Sequence, residues 1–389
     1  MTRSSDDGVF VAGAPERISP LWLGGLAVTY DRVREGPPVV VLGEYGAWAL
    51  HDRHRETVTY LDETAQVIGQ TPFDADPEHY YRNVTTMRLD PLQHVTVAND
   101  FVAVRDAHGE VARLRTDPWG AHCGSLVAFD DDESLLCLAV PDDYKAGAEP
   151  SARSRRYGRP ARLVLWDWQR EVVVQDVPLC SDHAGGYGVR KHPKSDAFYV
   201  DAHLNRGDQR AWIFARQGTT LRGSEIESPQ PMEAFAPDGT CLVVQSGETR
   251  DIKIGERHMA AVAAQLRLVS WPELSTRAQL DGESVFRRDV QNEDGLSGPV
   301  CFLSGDDLVI ETVRGRQLLV DRSMTVRGVL ALAGRPSGDE GLVVSGIEPL
   351  GDGRFVSYGS GRYDVWVLAD SSGPRPHRAG ECERRFRER

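Results

Sequence analysis

Two strand–turn–strand units alternate along nearly the whole chain, and their spacing restricts the possible folds more than any other feature. The first unit is an apolar strand, a turn of Pro, Asp and Gly, and a second apolar strand. It occurs at residues 87–100, 126–140, 189–202, 232–245, 300–313 and 347–359, with a looser copy at 26–46. Its Asp-Gly and Gly-Asp turns suit tight hairpins because these residues accept positive φ. The second unit is a strand, a short polar turn and a more polar strand. It occurs at 47–61, 102–116, 162–177, 211–226, 266–280 and 317–332, and a last copy at 364–370 breaks off after its first strand. Successive second units begin 47 to 60 residues apart.

Each period therefore holds four strands, the size of one blade of a β-propeller. Seven periods predict an all-β chain folded as a seven-bladed β-propeller of four-stranded blades. The last blade lacks its fourth strand, so an N-terminal strand is expected to complete it and leave no exposed edge there. Residues 9–13 (VFVAG) are strand-like, have no partner of their own and are the expected closing strand. A helical pattern is confined to 258–266, which could equally be a loop. Residues 1–373 are expected to form one propeller domain, and the charged stretch 374–389 a mobile tail or small docking arm.

Composition narrows the function classes. A hydrophobic fraction of 40% is enough for a core and argues against disorder. A net charge of −13 disfavours non-specific binding to nucleic acid or to an anionic membrane. No stretch approaches the roughly 18 apolar residues of a membrane span, and the first ten residues contain no apolar signal core. None of the six cysteines forms a CxxC pair, and most lie in apolar runs. They read as buried free thiols in a reducing compartment, which predicts a cytoplasmic protein.

The segment FAPDGTCLVV (235–244) looks like an inner hairpin, and LVLWDW (163–168) like a third strand ending in a Trp-Asp pair, Trp166-Asp167. In these segments and in its repeat the chain resembles the WD40-like and YVTN-type β-propeller superfamily. Trp-Asp occurs in that one copy alone, and there is no sialidase Asp-box, kelch Gly-Gly repeat or quinoprotein Trp motif. The resemblance thus implies a fold and no single activity, since such propellers serve as protein platforms, as sugar or lactone hydrolases and as lyases.

The long insertions fall in the connections from second to third strand and from fourth strand to the next blade, at 62–83, 141–161, 246–265 and 282–298. One elaborated face around the central channel follows, and long loops in compact domains are commonly functional. Asp74, Asp76, Glu78, His79, Tyr80 and Tyr81 offer either carboxylates and imidazole for a cation or a plain acidic loop with packed tyrosines. Trp119 and His122 could supply a general base beside an aromatic wall, or His122 could bond a neighbouring blade. Cys123 is next to His122 on a strand and should face the other way. Asp182 and His183 occupy the matching place one blade on, as a catalytic pair facing His122 or as a structural turn pair.

Arg156 lies in a basic run, 153–159, suited to a solvated lid or to anion capture. Glu233 and the QNEDG segment (291–295) add carboxylates that could complete a divalent-metal site of mixed N and O ligands, although no spacing demands one. No P-loop, GxGxxG, HExxH or GxSxG element occurs. The expected function is a scaffold binding a protein or peptide partner through the loop-rich face. The alternative is an enzyme at the channel mouth, a hydrolase, isomerase or lyase acting on a small polar substrate through His122, His183 and Asp182. Neither membrane nor nucleic acid is an expected partner.

Overall fold

A computed structural model describes residues 10–13, 15–28, 30, 37–42, 48–73, 82–89, 91–98, 101–115, 126–128, 134–141, 159–204, 209–227, 229–247, 250–254, 258–287, 294–332, 346–359 and 361–368. Its strands form seven blades, each written here as strands A to D from the channel outward. Blade 1 is Val39–Leu42, Trp48–Asp52, Thr57–Leu61 and Val67–Pro72, and blade 2 is Arg82–Leu89, Leu92–Ala98, Phe101–Asp106 and Gly109–Arg115. Blade 3 is Leu126–Ala128, Leu135–Pro141, Arg159–Asp167 and the first part of the long strand Val172–Lys191. The rest of that strand opens blade 4, followed by Ala197–Leu204, Gln209–Gln217 and Thr220–Glu225. Blade 5 is Met232–Phe235, Cys241–Ser246, Gln265–Ser270 and Thr276–Asp281, and blade 6 is Leu296–Phe302, Asp307–Thr312, Gln317–Asp321 and Val326–Leu330. Blade 7 is Gly346–Gly351, Arg354–Gly359 and Arg362–Val367, completed by Leu21–Ala27. The seven-bladed β-propeller read from the period is the fold.

A sheet that buries both faces needs apolar side chains on both, and strands B and C supply them. Leu163 and Leu165 face blade 4 while Val164 and Trp166 face blade 2, so one strand feeds two interfaces by simple alternation. Every blade-to-blade junction has its own cluster, including blade 7 against blade 1, where Trp48, Leu50 and Leu61 meet Val356, Tyr363 and Val365. Full burial of one such side chain contributes about 1.5–3 kcal/mol, so the ring is held by its seams rather than by a single core. Cys137, Cys241 and Cys301 lie in these seams as buried free thiols, and burial pushes each thiol up.

The closing strand is an N-terminal one, but it is Leu21–Ala27 and not 9–13. It pairs antiparallel with Arg362–Val367, from Leu21↔Val367 to Ala27↔Arg362. Trp22 decides the choice: it packs into the blade 6–7 seam, and its indole N–H donates to the buried Asp364 carboxylate at 3.1 Å. Before closing, the chain adds Arg17–Ile18 as a parallel fifth strand outside blade 6.

Two further expectations are corrected. Leu26 and Ala27 belong to the closing strand, so blade 1 starts at Val39, and Val67–Pro72, read as part of a connection, is its outer strand. The stretch 258–266 is not helical. His258–Val262 pairs with Arg250–Ile254 in an extra hairpin, which buries Ile252 and Val262, and Gln265 begins strand C of blade 5. An Ala-Ala-Val-Ala-Ala run offers a helix no polar face for solvent, whereas a hairpin satisfies its backbone in place. The one helix among the described residues, α1 (Gly282–Val285), is a single turn capped by Asp281, which accepts the Glu283 N–H at 3.0 Å. Among the described residues no helix is long and apolar enough to cross a membrane.

Candidate functional site

Strand order places all B–C and D–A connections at one end of the ring and all A–B and C–D turns at the other. The described elaborations lie at the B–C and D–A end. They are the hairpin 250–262, α1, and the crossing from blade 3 to blade 4, which is one continuous strand. In that crossing Ala184 pairs with Arg159 on one side and with Leu204 on the other. The opposite end uses its polar groups on itself. Asp62 accepts the Thr64 and Gln66 amides at 2.8 and 2.9 Å, Asp106 that of His108 at 2.7 Å, and Asp167 that of Arg170 at 3.0 Å. Asp321 accepts from Ser323 and Thr325 at 2.9 and 3.1 Å.

Those four aspartates each follow strand C of their blade or end it. The acid of the Trp166-Asp167 pair therefore recurs in blades 1, 2 and 6, where Leu61, Arg105 and Val320 precede it. A search for Trp-Asp misses this signal because the aspartate closes the C–D turn whatever residue precedes it.

The A strands of neighbouring blades touch one another around the ring and so wall the channel. Four consecutive blades place ionisable groups there or beside it: Arg190 in blade 4, Glu233 in blade 5, Glu311 in blade 6 and Glu348 in blade 7. Glu233 accepts a hydrogen bond from the Gln245 amide at 2.5 Å, and burial raises its carboxyl despite that bond and Arg190. Burial likewise raises Glu311, and it raises Glu348 to about 7 against the nearby Arg190 charge. Tyr358, on strand B of blade 7, is pushed up to about 12 by burial and by Glu348 and Glu311. A carboxyl titrating near neutrality can give or take a proton at working pH.

Of the residues singled out in the sequence, the structure places Glu233 in this channel wall. Asp182 and His183 lie on the crossing strand rather than in a turn, and nothing is described of their side chains. His79, Tyr81, Trp119, His122 and Arg156 lie outside the described residues. Asp294 of the QNEDG segment is fully buried and bonded to Arg316 and Thr312, so it is not available to a metal. Among the described residues no three His, Cys, Asp or Glu side chains form a group that could hold a metal ion. Sequence reasoning missed Glu348 and Arg190, because each looks like an ordinary strand residue until the ring brings its blade to the channel.

A second polar cluster is buried in the blade 1–2 seam. The hydroxyls of Tyr60 and Thr71 lie 3.2 and 3.1 Å from His94 Nδ1, and the ring of Phe73 sits 4.2 Å from His51 and 6.4 Å from His94. Burial, then Arg105, holds His94 down to about 4; burial, then Arg53 and His94, holds His51 down to about 3. Both folded-state values lie below the ordinary 6.5, so the unfolded chain takes up these protons first as pH falls. The seam therefore loses stability progressively from pH 6.5 downward, and His94 alone is expected to account for about 2 kcal/mol at pH 5. The raised channel carboxyls act in the opposite sense over this range. The His94 effect is therefore read as the change, between pH 7 and 5, in the stability difference between wild type and His94→Asn. Parallel pH curves for the two proteins would contradict it.

No protein-family model matches the chain, and no curated protein matches it in sequence. Among solved structures it is similar to the WD40 domain of Neurospora crassa Pan2, at 9% identity over 94% of this chain and 97% of that one, with a TM-score of 0.53. It is also similar to the β-propeller domain of Myceliophteria thermophila Cps50 (Swd1), at 13% identity over 90% of this chain and 100% of that one, with a TM-score of 0.55. A third is BBS1N, solved in complex with ARL6DN, at 11% identity over 92% and 100% of the two chains, with a TM-score of 0.50. Identities this low carry architecture and not activity. Its seven blades, its closure by an N-terminal strand and these likenesses give the chain the WD40-type seven-bladed β-propeller fold.

Proposed function

We propose that the protein is a scaffold that binds a protein or peptide partner through the face carrying the B–C and D–A connections. The observation that carries this proposal is the asymmetry of the two ends. One end adds a hairpin, a helical turn and a bridging strand that the ring does not need, while the described turns at the other end are short. Propeller neighbours solved with partners, such as BBS1N with ARL6DN, support partner binding as a use of this architecture. The test is affinity capture with wild-type protein and two variants. In one, residues 142–158, the B–C connection of blade 3, are replaced by a short Gly-Ser linker. In the other, Arg170→Glu alters the opposite end. A captured protein lost with the first variant and kept with the second is the expected result. Loss with the second alone would overturn the assignment of the face.

A second reading has one observation in its favour. Glu348, raised to about 7 next to Arg190 and Tyr358, is suited to proton transfer on a small polar molecule entering the channel. Turnover in a substrate screen that Glu348→Gln abolishes would move the assignment to this site.

A further inference from the structure

We infer that the recess between α1 and Arg316 is a recognition site for a partner segment bearing a phenylalanine, and that the chain's own Phe10 occupies it in cis. The inference rests on the partner-binding reading of this face and names the chemistry of the segment it would take.

The recess lies on the D–A connection from blade 5 to blade 6. Phe10 is only 4% exposed, whereas Val11 next to it is 48% exposed. The Phe10 ring centroid is 5.5 Å from that of Phe286, and the Arg316 guanidinium carbon is 5.7 Å from it. The backbone is read as well. Phe10 makes an antiparallel bridge to Phe286, and the Val11 N–H donates to Val285 O at 3.0 Å. A backbone bridged at one residue with its aromatic ring buried beside it is a way in which peptides are recognised, and a cation over the ring favours an aromatic occupant.

The Arg316 wall of the recess is fixed by contacts that do not involve Phe10. Asp294, fully buried, fixes the Arg316 guanidinium at 2.6 Å and also accepts from Thr312 Oγ1, Gly295 N and Arg314 N at 2.8, 2.9 and 3.1 Å. A recess held in shape by such a network has little ordering to do on binding. Phe10 is also dispensable for closing the ring, since the strand that completes blade 7 starts at Leu21. Between the two, the chain turns at Gly13, with φ +88° and open space where a Cβ would be, and rejoins a sheet at Arg17. The N-terminal segment is thus a tethered occupant, and tethering gives it a millimolar-scale advantage that a partner must exceed.

The experiment uses a fluorescein-labelled peptide of residues 6–13 (DDGVFVAG) and fluorescence anisotropy with the full-length protein. Phe10→Ala is expected to bind the peptide at least ~10-fold more tightly than wild type, because the tethered competitor is gone. The same peptide with alanine at its phenylalanine should not bind, and Phe286→Ala added to Phe10→Ala should abolish binding. Equal affinity in wild type and Phe10→Ala, or binding indifferent to Phe286→Ala, would overturn the inference. If Phe10→Ala does not fold, a protease site at residues 13–15 lets wild type be cut after folding. The labelled peptide should then exchange in, and no exchange overturns the inference. Peptide failure with the captured partner still lost in the 142–158 variant would sink the recess alone. Retention of the partner by that variant would sink the face assignment separately.

Discussion

Replacing Asp294 by alanine is expected to lower stability by about 3–5 kcal/mol, the largest loss from any single polar side chain discussed here. Its carboxylate is fully buried and is the shared acceptor for Arg316, Thr312 and the backbone amides of Gly295 and Arg314. Alanine would take the Asp294 carboxylate away from a largely buried guanidinium beside Phe10 and from two backbone amides. The cost comes less from a lost attraction than from buried polar groups that lose an acceptor away from water. Because these groups join the entry to blade 6 with its B–C turn, the damage should reach the blade 5–6 seam, where Phe10, Phe286 and Leu296 share one cluster. Asp294→Asn keeps the shape and some acceptor capacity while losing the charge, and should fall between. Denaturant midpoints for the three proteins check this, and a loss below about 1 kcal/mol for the alanine variant would contradict it.

Asp294 also marks where sequence reading stops. In the string QNEDG it is one carboxylate among several and a fair metal ligand. Nothing local shows that Arg316 and Thr312, some twenty residues on, will turn it inward. The fold was more legible, because a period of four strands repeats its pattern of turn residues and alternation in every blade, and each repeat is an independent vote. Even so, the frame differs in blade 1, where residues 28–38 separate the closing strand from the first inner strand and the sequence on both sides is apolar. The closing strand was misplaced for a related reason. Residues 9–13 and 21–27 are both strand-like, and only the seam that takes Trp22 distinguishes them. The channel carboxylates were least legible. Glu311 and Glu348 are ordinary acidic residues in largely apolar strands, and their meaning comes from neighbours on other blades. By contrast the turn glycine of FAPDG was visible at once, since Asp-Gly at the tip of a hairpin predicts a left-handed residue.

That glycine carries the second large effect. Gly239→Ala is expected to cost about 2–4 kcal/mol, from two separable causes. The first is backbone: Gly239 has φ +74°, a conformation that charges a non-glycine residue strain with or without neighbours. The second is space, because a Cβ there would run into the imidazole of His192. That ring cannot step aside. Its Nε2–H donates to Gly239 O at 2.8 Å, which leaves Nδ1 to accept from Lys194 N at 3.1 Å and from the Ser195 hydroxyl at 2.9 Å. Trp271 stacks on it at 5.6 Å and Phe235 meets it edge-on at 5.3 Å. His192 is thus the pin that joins the A–B turn of blade 4 to that of blade 5. His192→Ala removes the pin and also opens room for the new methyl. The two substitutions should therefore be non-additive, the double variant being more stable than the sum of the single losses by about 1–2 kcal/mol. Denaturation midpoints for wild type, both single variants and the double variant give that coupling directly. Strict additivity would mean that the cost of Gly239→Ala is backbone strain alone and that His192 yields to the methyl, contrary to the packing around its ring.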